Sequence, residues 1–276
     1  MPARWWRARC TGTSAVGPLI TLLTDFGTAD AYVGIMKGVI LGICPQAQVV
    51  DLTHEVPPQN IRAGALLLRS AAPYFPRGTI HVAVVDPGVG GTRAPVLMRT
   101  ARASFIGPDN GLLEPAARAF GIERVMSLSR GEYHLAQVSA TFHGRDVFAP
   151  AAAHLAAGVA PDALGPPQTQ WQSLALPAPT AAGSGVAGEV VYVDHFGNLV
   201  TNLTREHIDS FPARPLLVSI ARFTEIPVAA TYGDVESGRM VGVIGSWGHL
   251  EVAERGGNAA HSLGVGVGAV VHLRSV

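Results

Sequence analysis

The sequence predicts an α/β chain in two parts: a largely parallel sheet covered by helices on both faces, then a small β-barrel or sandwich. Three observations predict it. Val- and Ile-rich runs alternate with helical stretches as far as about residue 160. The composition then shifts to Pro, Ala, Gly and Gln with little periodicity, and short β-type runs follow with almost no helix between them. The chain accordingly divides into an extension over residues 1–17, an α/β domain over 18–160, a linker over 161–185 and a second domain over 186–276.

Residues 1–17 carry Arg4, Arg7 and Arg9 around Trp5-Trp6, with no acid and no apolar core of the kind a signal peptide needs, and read as a disordered extension. A β run over 19–23 ends in Thr24-Asp25-Phe26-Gly27-Thr28-Ala29-Asp30, and the helix expected over 31–43 is stopped by Pro45. Gly34, Gly38 and Gly42 fall on one face of that helix and are expected to let it lie close on the sheet. A second run over 48–52 leads through Thr53-His54-Glu55-Val56-Pro57-Pro58-Gln59-Asn60 into an apolar helix over 61–72. The run over 79–86 stops abruptly in Asp86-Pro87-Gly88-Val89-Gly90-Gly91. That puts Asp86 at a strand's carboxyl end, where open α/β sheets place their ligands, with Arg93 within reach. An ordinary strand exit, with the Asp capping a turn, would use the same residues.

Short runs over 96–99 and 104–106 precede Gly107-Pro108-Asp109-Asn110-Gly111, with a helix over 112–119 whose first backbone donors could hold a polar ligand. Thr141-Phe142-His143-Gly144-Arg145-Asp146 opens an Ala-rich helix over 147–157, and a His there suits a polarising or acid–base role as well as a plain cap. In the second part, β runs over 188–193, 199–203, 215–220, 240–244, 249–252 and 265–273 are interrupted by Asp194-His195-Phe196-Gly197-Asn198 and Gly245-Ser246-Trp247-Gly248.

Composition narrows the function. At 276 residues, 48% hydrophobic and 14% charged, the chain can bury a sizeable core. Twenty basic residues balance twenty acidic ones, so no overall field favours nucleic acid or an anionic membrane, and a small-molecule partner is expected. Cys10 and Cys44 are too few for a disulfide scaffold and suit a reducing cytoplasm. No apolar run reaches the roughly twenty residues a membrane span needs, so a soluble, cytoplasmic protein is expected. There is no phosphate loop with its Lys, no GxSxG elbow and no paired-His metal motif, so no metal or cofactor is expected. Polar turns in both domains point to an interdomain or intersubunit pocket.

Thr24-Asp25-Phe26-Gly27, Val85-Asp86-Pro87-Gly88-Val89-Gly90, Gly107-Pro108-Asp109-Asn110-Gly111, Phe142-His143-Gly144-Arg145-Asp146 and Asp194-His195-Phe196-Gly197-Asn198 occur in that order. Together they resemble the adenosine-forming S-adenosyl-L-methionine (SAM) hydrolases, the SAM hydroxide adenosyltransferases, relatives of the SAM-dependent fluorinase and chlorinase; the resemblance runs from Leu19 to Arg274. It implies an N-terminal α/β/α sandwich, a C-terminal β-barrel and a homotrimer with SAM held between the N-domain of one subunit and the C-domain of the next. It matches Asp25 to the ribose hydroxyls, Asp30 to the methionine end, Asp194 to the methionine ammonium and Asn198 to adenine. Asn110, Phe142, Phe196, Tyr232, Ser246, Trp247, Asn258 and Ala260 fall at further substrate-binding positions. Asp86, Arg93 and His143 match the hydrolases' catalytic triad.

The chemistry of that triad stands on its own. The sulfonium of SAM makes methionine a neutral leaving group, so attack at ribose C5′ needs no general acid; it needs a water that is oriented and made more hydroxide-like. Asp86 is the expected base or orienter, with Arg93 and His143 polarising the water. A halogenase would instead need neutral donors around a dehydrated halide, which the Asp86 carboxylate would repel. The fluorinase pattern has an aromatic hydroxyl residue at Asp86, a Tyr and a Ser at His143 and Gly144, and a Trp at Gln59. A SAM- or adenosine-binding sensor without turnover is the third reading.

Overall fold

The computed structural model describes residues 17–212 and 215–276, so the expectation for residues 1–16 lies outside the described chain. The described residues divide into two compact units, one running from residue 17 to 174 and the other from 175 to 276.

Unit 1 is an α/β/α sandwich. Its strands are β1 (Leu19–Thr24), β2 (Gln48–Thr53), β3 (Ile80–Val84), β4 (Pro95–Thr100), β5 (Ser104–Pro108) and β6 (Ile122–Ser127), in the order β2-β1-β3-β5-β4-β6. β2, β1, β3 and β5 run parallel; β4 lies antiparallel between β5 and β6. Helices α1 (Tyr32–Ile43) and α4 (Ala149–Ala156) pack together, as do α2 (Ile61–Ala71) and α3 (Glu114–Ala119). Ile20, Leu22, Val82 and Ile106 from the sheet bury against Met36 and Ile40 of α1 and Phe148 beside α4. At about 1.5–3 kcal/mol per fully buried large apolar side chain, this seam is a main source of the unit's stability.

The strands are short Val/Leu/Ile runs because both sheet faces are covered. Asn60 starts α2 by accepting the Ala63 amide at 3.0 Å, and Pro45 follows the end of α1 as expected. One expectation is corrected. Gly34, Gly38 and Gly42 face outward, and a Cβ on any of them would meet nothing; α1 buries the neighbouring row of Val33, Met36 and Ile40 instead. The helix presents its bulky apolar row to the sheet because that row buries more area. Two further differences concern elements: β6 lies where no strand is expected, and the helix expected over 147–157 is preceded by a π-helical turn, Gly144–Phe148.

The chain leaves β1 for β2 on one side and returns across β1 to β3 on the other. Loops after β1 and β3 therefore diverge at a crevice, the switch point where such sheets bind ligands. Thr24 pairs with Val84, so Asp25 and Asp86 leave the same sheet edge.

Unit 2 is a nearly closed antiparallel barrel of β7 (Thr180–Ala182), β8 (Gly185–Val193), β9 (Leu199–Thr204), β10 (Leu216–Ile220), β11 (Phe223–Pro227), β12 (Met240–Ile244), β13 (His249–Glu254) and β14 (Val270–Ser275). The strand path is β11-β10-β14-β8-β9-β13-β12, with β7 beside β8, and a bridge from Val228 to Gly242 brings its two ends together. Val190, Leu203, Val218, Leu250 and Leu273 fill the interior. Two short helices, α5 (Arg205–Asp209) and α6 (Ala259–Leu263), interrupt the strands, and the last run is strand only from Val270.

Candidate functional site

In unit 1 a cavity of about 360 Å³ opens at the switch point, lined by Asp25, Phe26, Gln59, Asp86, Phe142 and His143 among others. The Asp25 Oδ2 accepts the Gln59 amide at 2.8 Å, and Gln59 holds a left-handed φ of 63° to present it. Phe26, Tyr32 and Phe142 form a cluster of edge-to-face rings at one wall, with centroids 5.2–6.0 Å apart.

Arg93 joins the other two members of the expected triad. Its Nε lies 3.0 Å from each Asp86 oxygen and its Nη2 also donates to Oδ2, while the two side chains are 10% and 5% exposed. The same Nη2 donates to His143 Nδ1 at 2.8 Å, and the guanidinium carbon stands 5.4 Å from the Phe148 ring centroid. A fork this enclosed fixes the carboxylate's orientation. Burial, then the neighbouring Arg93 cation, hold the His143 ring below its ordinary pKa, so it is neutral at pH 7.

His143 is placed by the π-helical turn. The Phe142 carbonyl accepts from both Arg145 and Asp146 amides, at 3.2 and 3.1 Å. Asp146 is wholly buried; it accepts from Ser139 N at 2.8 Å and pairs with Arg145. Burial pushes the Asp146 carboxyl up, yet the Arg145 and Ser139 hydrogen bonds outweigh it and the pKa falls. His143 sits at the first position of the turn, but its ring bonds Arg93 and caps nothing.

Three expected residues do not line this cavity: Arg93, which stands behind Asp86 and His143, and Asp30 and Asn110. Asp30 lies exposed before α1. Asn110 donates to Val85 O at 2.9 Å and accepts from Leu112 N at 3.1 Å, tying the residue behind Asp86 to the start of the α3 segment; the donor expected for a ligand there is taken by Asn110 itself.

Unit 2 gathers Asp194, Phe196, Asn198, Asn258 and Ala260 in one loop pair. Asp194 Oδ1 accepts from Phe196 N and Asn198 N at 2.9 and 2.8 Å, and its Oδ2 from Asn198 Nδ2 at 2.9 Å. Gly197 has φ 83°, and a Cβ there would sit 2.1 Å from Asn258 Cγ, so only glycine permits this approach. Asn258 caps α6 through His261 N at 2.8 Å, and Ala260 N bonds Gly197 O at 2.9 Å. The Phe196 ring is left 71% exposed. Ser246 and Trp247 sit on the neighbouring β12–β13 turn, Trp247 against Tyr192 at 5.7 Å.

Sequence reading missed Glu251, a buried carboxyl that accepts the Tyr232 hydroxyl at 2.9 Å. Burial first, with Asp194 nearby adding to it, raises its pKa; burial and Glu251 together push Tyr232 up to about 12. The Gly245 neighbour was its one signal, since Glu251 occupies the place of a Cβ there. Among the described residues no three His, Cys, Asp or Glu side chains gather as a metal set, and no helix is long and apolar enough to cross a membrane.

The N-terminal domain model of the SAM hydroxide adenosyltransferases matches residues 20–165, and the C-terminal domain model matches 188–272. A (R)-S-adenosyl-L-methionine hydrolase of Thermus thermophilus is 42% identical, the match covering 92% of this chain and 98% of that protein. A fluorinase of an Actinoplanes species is more distant, 28% identical over 92% and 96% of the two chains. The crystal structure of an uncharacterized conserved protein from Thermotoga maritima superposes with a TM-score of 0.87 at 35% identity, covering 92% of this chain and 99% of that one. With both domains matched in order and a hydrolase similar over almost its whole length, the chain belongs to the SAM hydroxide adenosyltransferase family.

Proposed function

We propose that this protein hydrolyses SAM to adenosine and L-methionine by attack of water at ribose C5′, without a metal or other cofactor. The observation that carries the reading is the Asp86–Arg93–His143 array, whose Asp86 and His143 line the switch-point cavity. The C5′–O bond forms as the C5′–S bond breaks, the sulfur keeps the electron pair as a neutral thioether, and the water proton passes to a protein base. Asp86 is that base. Arg93 only donates, and neutral His143, whose Nδ1 accepts from Arg93, carries its proton on Nε2 and is itself a donor toward water. An anionic nucleophile other than hydroxide would meet the Asp86 carboxylate with the neighbouring Arg93 cation already bonded to it, which disfavours halide.

Asp25 binds the ribose hydroxyls. Asp194, Asn198 and the residues around them hold the methionine and adenine ends, with Asp30, Asn110, Phe142, Phe196, Tyr232, Ser246, Trp247, Asn258 and Ala260 as further contacts. We read the working form as a cytoplasmic homotrimer whose active sites are shared between subunits. The outward Tyr32, Ile35 and Leu41 of α1 supply apolar surface that a subunit contact would cover.

The test is incubation with SAM, in both sulfonium configurations, in oxygen-18 water with and without chloride or fluoride, followed by mass spectrometry. Adenosine labelled at the 5′ oxygen and indifferent to halide is the expected product. A 5′-halo nucleoside, or tight binding without product, would replace this reading with the halogenase or the sensor.

A further inference from the structure

Asp25 hangs on a loop pinned from beneath by side chains that the proposed reaction does not use. Thr24, wholly buried, accepts the Phe26 amide at 3.2 Å through its hydroxyl, which lies 2.9 Å from His54 Nδ1. On the far side of the ring, His54 Nε2 stands 3.1 Å from Asp51 Oδ1 as an ion-pair contact without a hydrogen bond, and Asp51 Oδ2 accepts from Lys37 Nζ at 2.6 Å. The nearby carboxylate favours the tautomer with its proton on Nε2, so Nδ1 accepts from the Thr24 hydroxyl. The backbone doubles the link: Gly27 N donates to His54 O at 2.8 Å and Val56 N to Thr24 O at 3.4 Å.

A Thr–His–Asp series invites comparison with a nucleophile relay, but Thr24 is wholly buried and its hydroxyl is already bonded to the Phe26 amide, so it reaches no substrate. What the series does reach is the loop on either side of Asp25. The carboxylate is then fixed by Gln59 N on Oδ2, while among the described residues Oδ1 takes no donor and is left for a ligand.

We infer that Thr24, His54 and Asp51 are positioning residues that set the Asp25 carboxylate for the ribose hydroxyls. The inference rests on the reading that Asp25 binds the ribose. Without the relay, the loops after β1 and β2 are joined by the backbone bonds alone and Asp25 is no longer held in place, so the protein loses discrimination for the hydroxyls while the Asp86–Arg93–His143 array stays assembled.

The experiment compares binding of adenosine and 2′,3′-dideoxyadenosine, by calorimetry, to the full chain and to Asp25→Ala, Thr24→Val, His54→Ala and His54→Asn, alongside kcat and KM for SAM. The parent should prefer adenosine by about tenfold or more, the scale of hydrogen bonds to a carboxylate. Thr24→Val and His54→Ala should collapse that preference and raise KM by a similar factor with kcat changed less than about threefold, whereas His54→Asn, which keeps an acceptor near Nδ1, restores part of it. An Asp25→Ala variant that keeps the parent's preference overturns the ribose reading. Loss of preference in Asp25→Ala but not in Thr24→Val or either His54 variant overturns the positioning inference alone. If His54→Ala does not fold, Thr24→Val and His54→Asn decide.

Discussion

Arg93 Nη2 donates to His143 Nδ1 across 2.8 Å, and because a guanidinium never accepts, this contact fixes the imidazole tautomer. Protonating Nδ1 would set a proton against a cation. His143 therefore titrates below its ordinary 6.5, with burial the larger cause and Arg93 the second. A His lowered in the folded state adds stability that is present above pH 6.5 and lost as the pH falls through the folded value. The acid limb of the kcat/KM profile should accordingly fall below pH 6.5. In Arg93→Gln the ring, left with the Asp86 and Asp146 carboxylates, should titrate higher by NMR.

Asp86→Asn removes the proposed base but preserves shape. Turnover should drop by about three orders of magnitude while SAM affinity changes little. Because Arg93 is then an enclosed cation without its partner, the variant should also lose about 3–5 kcal/mol of stability, visible as a lower urea midpoint. Full activity in this variant would remove Asp86 from the mechanism.

Shared active sites predict complementation. Asp86→Asn and Asp194→Asn chains, each inactive, should regain about a quarter of parental activity when unfolded together and reassembled, since a random ring pairs the two intact halves in one arrangement of four. Sites built within single chains would regain nothing. Sedimentation of the parent chain checks the trimer separately.

Tyr232→Phe deletes the donor to Glu251. The Glu251 pKa is raised by burial and Asp194 and partly lowered by this hydroxyl, so the variant raises it further. A raised carboxyl contributes stability that is full below about pH 4.5 and lost as the pH climbs through the folded value. The variant should be less stable by about 1–2 kcal/mol at pH 8 and nearly equal to the parent at pH 4. Denaturant midpoints across that range measure it.

Gln59 serves Asp25 through its backbone at a φ that glycine adopts freely. Gln59→Gly should keep SAM affinity within about twofold and leave stability within about 1 kcal/mol, the relief of strain offsetting the added freedom of the unfolded chain. A large loss of affinity would assign the contact to the side chain instead.

The parts of the fold legible in the sequence were those whose signals are local. Leu19–Thr24 and Ile80–Val84 are dense apolar runs that end in an Asp at a polar loop, so both the strands and the position of Asp25 and Asp86 at their ends could be read directly. Ile122–Ser127, with Glu123 and Arg124 in its middle, escaped because an edge strand needs no continuous apolar run. Gly34, Gly38 and Gly42 misled because spacing defines a face without saying which way it turns. The Thr24–His54 contact spans thirty residues and exists only because β1 and β2 pair in parallel. Glu251 left only the small residue at Gly245 as a trace, since its partner is a Tyr nineteen residues away.

The mutual satisfaction of Asp86 and Arg93 also bears on how chemistry diverges on this fold. Neutralising either residue alone strands the other's charge in an enclosed pair, so a single neutral intermediate is worse than its parent in stability as well as rate. Passage from water to another nucleophile must cross a valley that only paired substitutions bridge. A laboratory search for halide use from this scaffold should therefore sample Asp86 and Arg93 jointly, because selection acting one position at a time would hold the pair in place.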